Sequence, residues 1–386
     1  MAHCNTIFHH MLKLIPRHHF SKLEREYGTG RPSRTFSRWH QLVHLIFMQV
    51  TSRASLRDGV AALKARFTNL YHLGVRPVAR STFADANNRR PASFFAALFA
   101  LMYQRCLAHA PRHQFKFKNK LYSLDATVVS LCLSLFPWAS FRRTKAGVKL
   151  HTLLDHDGYL PAFVAITPAR EHEVKKARAL NLPKGSIVVE DLGYTDYAWY
   201  GQLTAQKIFF VTRQRSNARY RLLGSRPVKA SVGLVADESI QLTGAKAKAA
   251  CPKPLRRIVY QDPETGKVYV FLTNHFRLAA KTIADIYKER WQIEIFFRWI
   301  KQNLKIKAFI GNSENAVMSQ IYAALIVYLL LCYTKFLCNL SVTLQNFMRI
   351  LQLNLFRTCS LQELFEPPGS VPDNINLNNQ LCLTLA

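Results

Sequence analysis

Asp125, Asp191 and Glu294 are three carboxylates in a chain that is short of acid. It carries 53 Lys plus Arg against 23 Asp plus Glu, a formal net charge of +30. Asp125 ends a strand-like run, Lys120–Asp125 (KLYSLD), and Asp191 ends a second one, Ile187–Asp191 (IVVED). Glu294 lies within YKERWQIEIFFRWIK, Tyr287–Lys301. There the apolar residues Ile286, Ile293, Phe297, Ile300 and Leu304 recur at helical spacing and predict one long amphipathic helix. Tyr287, Arg290, Glu294 and Lys301 are spaced by three, four and seven residues. At about 100° per residue they share roughly a 60° arc of such a helix. One acid held among two cations and a phenol needs a reason, and coordination of a divalent metal beside an anionic ligand supplies it.

The rest of the composition bounds what those residues can serve. With 386 residues, 49% of them hydrophobic, the chain has room for two or three domains with real cores. A charge of +30 points to phosphate neutralisation, because counterion release drives such binding. Adaptation to acidic membranes or ribosomal RNA is the blander use of the same charge. Residues 1–120 hold 20 Lys/Arg against 4 Asp/Glu, whereas Thr358–Ala386 has no Lys or Arg. The eight cysteines include no C-x-x-C pair, so they suggest neither a zinc site nor a disulfide framework, and a reducing cytosol is expected. The N-terminus mixes His and basic residues into its apolar positions and has no signal-like core. Ala316–Cys338 is the one membrane candidate. Its uninterrupted apolar part, Ile321–Tyr333, falls short of the roughly 20 residues a span needs, so it reads as a buried core helix and no membrane partner is expected.

The elements that must position the carboxylates can be followed along the chain. Residues 1–115 read as helical, with apolar periodicity in Arg38–Gln49, Ser55–Leu63 and Phe94–Ala108 and breaks at Gly28–Pro32 and Gly74–Pro77. With the Arg-rich connections and Ser81–Arg90, they fit a DNA-binding helical domain; a purely structural cap is the alternative. From 116 to 212 the texture is α/β. KLYSLD precedes a hairpin, Gly147–Gly158 and Tyr159–Thr167, turning at an Asp-Gly. Helix-like Glu171–Leu180, the IVVED strand, helix-like Asp196–Lys207 and the strand Ile208–Thr212 come next, which predicts a mixed sheet with helices. Residues 213–275 read as a β-rich insertion with a turn at Pro263–Gly266. Residues 276–310 hold the catalytic helix, and 311–386 hold apolar helices and a polar Asn-rich tail.

An Asp after the first strand, an Asp after the fourth, and Y-x2-R-x3-E-x6-K together resemble the DDE transposases of bacterial insertion sequences, in the branch called the IS-four family. Asp125, Asp191 and Glu294 stand where that family has its triad, and Tyr287, Arg290, Glu294 and Lys301 keep every spacing of its signature. Lys149–His151 and Asp191–Tyr197 (DLGYTDY) look like its flanking features, and the resemblance covers essentially the whole chain. Leu192 departs from it, standing where relatives often place a basic residue.

The resemblance implies a ribonuclease H-like core, carrying a β-rich insertion and preceded by a helical domain. It also implies an enzyme that binds the ends of an insertion sequence, cuts phosphodiester bonds and transfers the ends into target DNA. Such in-line displacements suit two Mg²⁺ ions about 3.5–4 Å apart, held by hard oxygen ligands, with Mn²⁺ able to substitute. Asp125 is expected to bridge both ions, Asp191 and Glu294 to complete one site each. Arg290 and Lys301 are expected to clamp phosphates, and Tyr287 to meet the DNA end. A homodimer on terminal repeats and target DNA, in a nucleoid-associated bacterial cytosol, is the implied setting. The alternatives are a hydrolytic nuclease of the same fold without strand transfer, and a catalytically silent DNA-binding regulator. Removing residues 1–115 is expected to abolish end recognition yet leave the sheet folded. Asp155, Asp157, Asp196 and Glu190 read as turn, cap or opposite-face residues, His151 as an interior or DNA-facing one, and Trp291 and Trp299 as packing groups. Tyr269 and Phe271 read as cross-strand packing, with stacking on an extruded base as the alternative.

Overall fold

The computed structural model describes residues 5–28, 33, 35–171, 173–306, 308–361 and 363–365, so the Asn-rich tail lies outside the described residues. Seven helices come first: α1 (Ile7–Lys13), α2 (Arg17–Glu26), α3 (Arg38–Val50), α4 (Leu56–Lys64), α5 (Phe67–Leu70), α6 (Arg80–Arg89) and α7 (Ser93–Leu107). Local chemistry starts several of them. The side chains of Thr6, Ser37 and Ser55 accept from backbone N–H groups in the first turns of α1, α3 and α4, groups that otherwise have no helical partner.

The α/β part comprises β1 (Leu121–Leu131), β2 (Ser140–Arg142), β3 (Lys145–Asp155), β4 (Leu160–Pro168), α8 (Glu173–Arg178), β5 (Ile187–Glu190), α9 (Tyr197–Ala205) and β6 (Phe209–Arg213). β3 and β4 form the expected hairpin, and Gly158 supplies the positive φ of 70° at its turn. β7 (Tyr220–Arg226), β8 (Leu234–Leu242), α10 (Ala245–Ala250), β9 (Leu255–Gln261) and β10 (Val268–Thr273) come next. They extend the same sheet: its order is β2-β3-β1-β5-β6-β10-β9-β8-β7, with β4 on β3. β1, β5 and β6 run parallel and the other pairings are antiparallel, so this is a mixed α/β sheet of ribonuclease H-like type, preceded by helices.

The chain closes with α11 (Ala280–Glu289), α12 (Trp291–Asn303), α13 (Glu314–Leu337) and α14 (Leu344–Asn354). The single helix expected across Tyr287–Lys301 is therefore two, meeting at Arg290. No proline or glycine sits there. Arg290 N–H bonds Tyr287 O at 3.2 Å and Ile293 N–H bonds Arg290 O at 3.1 Å, and these three-residue closures tighten the turn and break the ladder.

α13 is apolar all round and buried all round, as a core helix must be. It is long and apolar enough to cross a membrane, yet 89% of its most apolar stretch is buried within the protein. It packs against α3, α6, α7, β4, α12 and α14. Phe94, Phe95, Leu98, Phe99 and Met102 of α7 share one apolar cluster with Ile321, Leu325, Leu329 and the β3–β4 residues Leu150 and Val164. This corrects the expectation that the sheet is self-sufficient without residues 1–115. Those helices cover an apolar surface that belongs to the C-terminal part, a long-range pairing that sequence periodicity does not report.

Candidate catalytic site

Side-chain alternation sorts the central strands. Tyr122, Leu124 and Val188 face one apolar cluster with Tyr200, while Leu121, Ile187 and Val189 face α11 through Ile283 and Ile286. Asp125 continues the second face. It is mid-strand rather than terminal, since β1 runs on to Leu131 against β3, with Asp125 opposite Thr152. The parallel pairing, however, ends at Leu124 and Glu190. Asp125 and Asp191 are thus the next residues of two adjacent strands, where the backbones part. Glu190 points away and is fully buried; Tyr200 Oη donates to it at 2.5 Å.

The α11–α12 junction brings the third carboxylate. Arg290 donates to Glu294 Oε1 at 2.8 Å and to Asp125 Oδ2 at 3.4 Å, so one guanidinium joins carboxylates from α12 and β1. Burial works against the Arg290 charge, but Tyr287, Asp125 and Asp191 outweigh it and its pKa rises. Tyr287 donates to Asp191 Oδ1 at 3.4 Å and packs its ring on Phe271, with centroids 4.9 Å apart. Burial, aided by Asp191 and opposed by Arg290, pushes its phenol up to about 12, so it remains a donor at neutral pH. Lys301 donates to Thr127 Oγ1 at 2.5 Å, two residues along β1 from Asp125.

The structure therefore places Asp125, Asp191, Glu294, Tyr287, Arg290 and Lys301 around the end of the β1–β5 pairing. Asp125 and Glu294 meet at Arg290, while Asp191 is reached through Tyr287. Among the described residues no three carboxylate, imidazole or thiol side chains converge on one point. The donor chemistry nonetheless suits a hard cation. Asp125 and Glu294 offer oxygen only, and they already face a common position that accepts positive charge.

Other polar residues are spoken for. Asp155 accepts from Tyr103 and Lys120, both at 2.9 Å, and Asp157 accepts from Lys120 at 2.6 Å. Asp196 caps α9 by accepting from Ala198 and Trp199 N–H. His151 is buried on Thr167 at 3.0 Å, and burial, with Lys149 and Lys176, lowers its pKa to about 4. Trp299 packs on Tyr328, but Trp291 does not pack inward: it is 50% exposed. It lines a hollow of about 340 Å³ with Asp191, Arg213, Tyr269, Phe271 and Tyr287. Tyr269 and Phe271 lie nearly parallel there, centroids 6.1 Å apart, with Arg213 over Tyr269 at 5.6 Å. Sequence reasoning missed Thr127 and Arg213. Alternation from Asp125 could have found the first; the second depends on β6 pairing with β10, which no local pattern signals.

Against known proteins, a family model described as transposase DDE domain matches residues 116–330, and one described as a domain of unknown function (DUF4372) matches residues 3–76. DDE transposase domains depend on a divalent metal. The chain is 33% identical over 304 residues to y4zB of Sinorhizobium fredii, named as a transposase, covering 78% of this chain and 83% of that one. It is 30% identical over 346 residues, 88% of each chain, to a Geobacillus stearothermophilus protein named as the transposase for insertion sequence element IS5377. A distant likeness, at 12% identity and a TM-score of 0.43, covers 94% of this chain and 85% of a chain solved by cryo-EM in a piggyBac transposase synaptic complex with hairpin DNA. With the DDE domain model spanning both aspartates and Glu294, and relatives aligned along most of their length, the chain belongs to the DDE transposases, enzymes that cleave DNA and transfer its strands.

Proposed function

We propose that Asp125, Asp191 and Glu294 are the metal-holding triad of this transposase, that Mg²⁺ is the ion, and that the substrate DNA is the terminal repeats of an IS-four-type element and its target. The observation that carries this is the meeting of Asp125 and Glu294 at one cation-accepting position, with Asp191 beside Asp125 at the end of the parallel pairing. When bound, Mg²⁺ supplies the positive charge that in-line displacement at phosphorus requires. The protein's own groups do the rest. Glu294, on rigid α12, and Asp125, on the central strand, hold their oxygens in fixed relation. Tyr287 orients Asp191 through its hydroxyl, and Lys301, steadied by Thr127, presents a fixed positive charge along the path of the DNA backbone.

Residues 1–115 are the helical DNA-binding part, 116–212 the first part of the core, 213–275 the β-rich insertion, 276–310 the helices that complete the core, and 311–386 the C-terminal part. Two copies act together on paired ends, in the bacterial cytosol at the nucleoid. The test uses a plasmid bearing the inverted repeats that flank the coding frame. Mg²⁺ or Mn²⁺ should give cut ends and joined products, Ca²⁺ neither. Equal activity with chelator present would remove the metal-triad reading.

A further inference from the structure

A second cluster of cations lies away from the carboxylates. Arg53, Arg66 and Arg357 line a hollow of about 290 Å³, together with Thr51, Gln352 and Phe356. It is built from both ends of the chain. Arg53 and Arg66 flank α4, whereas Gln352 lies on α14 and Phe356 and Arg357 lie just beyond its C-terminal end. Backbone bonds from Ile7 N–H to Arg357 O at 3.0 Å and from Phe8 N–H to Leu355 O at 2.9 Å pin the two ends together.

The three arginines are held differently. Arg53 is steadied by Asp58 at 3.2 Å, yet its Nε is buried with no partner. Arg66 sits over the Phe356 ring at 5.6 Å, and among the described residues neither it nor Arg357 forms an ion pair. One carboxylate therefore faces three guanidinium groups, an excess of two positive charges. Next to Arg66, Phe67 is 66% exposed and Tyr71, one turn on, is 85% exposed, as is Leu353 at 86%. Exposed aromatic rings beside unpaired arginines suit a surface that carries sugar and phosphate.

We propose that this hollow is a seat for the phosphodiester backbone of duplex DNA, formed jointly by the N-terminal helices and the segment after α14. It rests on the chain's being a DNA-binding transposase, and it places part of the DNA contact outside residues 1–115. Duplex DNA is favoured over a free anion because the exposed rings flank the arginines and the whole chain is strongly basic.

The test is fluorescence anisotropy of the full chain on a mixed-sequence duplex, without divalent metal, across about 50 to 200 mM salt. Arg66→Ala with Arg357→Ala should flatten the slope of log affinity against log salt by about one unit. Arg66→Lys with Arg357→Lys should keep it. Lys118→Ala with Lys184→Ala removes equal charge from exposed positions ahead of β1 and β5, the far ends of those strands from Asp125 and Asp191, and should leave the slope near wild type. An unchanged slope in the arginine double variant overturns the seat, while wild-type binding keeps the broader reading intact. So does an equal loss in the lysine control, which would make net charge the cause. Inorganic phosphate bound by wild type and lost in the arginine variant, with the DNA slope unchanged, makes it a free-anion site instead. Absence of salt-dependent binding in wild type removes the DNA-binding reading beneath it.

Discussion

Arg290 and Asp125 stand 3.4 Å apart, a contact that ties the junction of α11 and α12 to the central strand β1. The same guanidinium reaches Glu294 at 2.8 Å. Sequence spacing suggests a cation projecting toward DNA phosphate. In the folded chain that cation is already engaged by two of the three acidic residues proposed to hold metal.

Substitution of Arg290 should therefore act on metal binding as well as on DNA. Arg290→Met removes a competing charge between Asp125 and Glu294, so Mn²⁺ should bind more tightly, read from the free-ion signal in an electron paramagnetic titration. Cleavage should nevertheless fall, on the order of 100-fold, because a displacement of about 1 Å at the scissile group is enough. Unchanged Mn²⁺ affinity would mean that Arg290 serves phosphate alone.

The triad makes a sharper prediction. Asp125→Asn, Asp191→Asn and Glu294→Gln should each abolish cleavage of element ends while gel-shift affinity stays near wild type, since each removes negative charge and little DNA contact. Near-normal Mg²⁺-dependent cleavage by Asp191→Asn would falsify the assignment.

Lys301 and Thr127 separate charge from placement. Lys301→Ala should flatten the salt slope of end binding by about one unit and slow cleavage. Thr127→Val keeps the ammonium but removes its 2.5 Å partner, so the slope should hold while the rate drops. If both variants match wild type in slope and rate, Lys301 is an ordinary solvated residue.

Deleting residues 1–115 should cost more than DNA recognition. The α7 residues Phe94, Phe95, Leu98 and Phe99 share the cluster that encloses α13, and their loss would bare a large apolar surface. The truncated chain is expected to aggregate or bind hydrophobic dyes strongly. A soluble, cooperatively melting fragment would show that the sheet and α13 close without the helices.

Glu190 gives a prediction in pH. Burial, with Asp196 and Asp191 nearby and the Tyr200 bond opposing, raises its pKa well above the ordinary value of 4.5. A raised acid pKa favours folding below the ordinary value and loses that contribution as pH rises. Glu190→Gln does not titrate, so its stability relative to wild type should climb from about pH 4.5 upward, by up to about 1.4 kcal/mol per pH unit. Chemical unfolding at several pH values measures it; a pH-independent difference would mean that the buried carboxyl does not resist ionisation.

The sequence by itself determined the local units and the identity of the chemical groups. Alternation and turn chemistry marked the β3–β4 hairpin, capping and periodicity marked α3, α4, α7 and α9, and spacing selected Asp125, Asp191, Glu294 and the signature residues, because these are properties of neighbours along the chain. Tertiary structure decided what depends on distant partners. Only β3 pairing carries β1 past Asp125, and only the two i−3 closures at Arg290 turn one amphipathic pattern into α11 and α12. Likewise α13, uniformly apolar and therefore without a preferred face in sequence, takes its burial from helices more than 200 residues earlier, a choice made by packing rather than by periodicity.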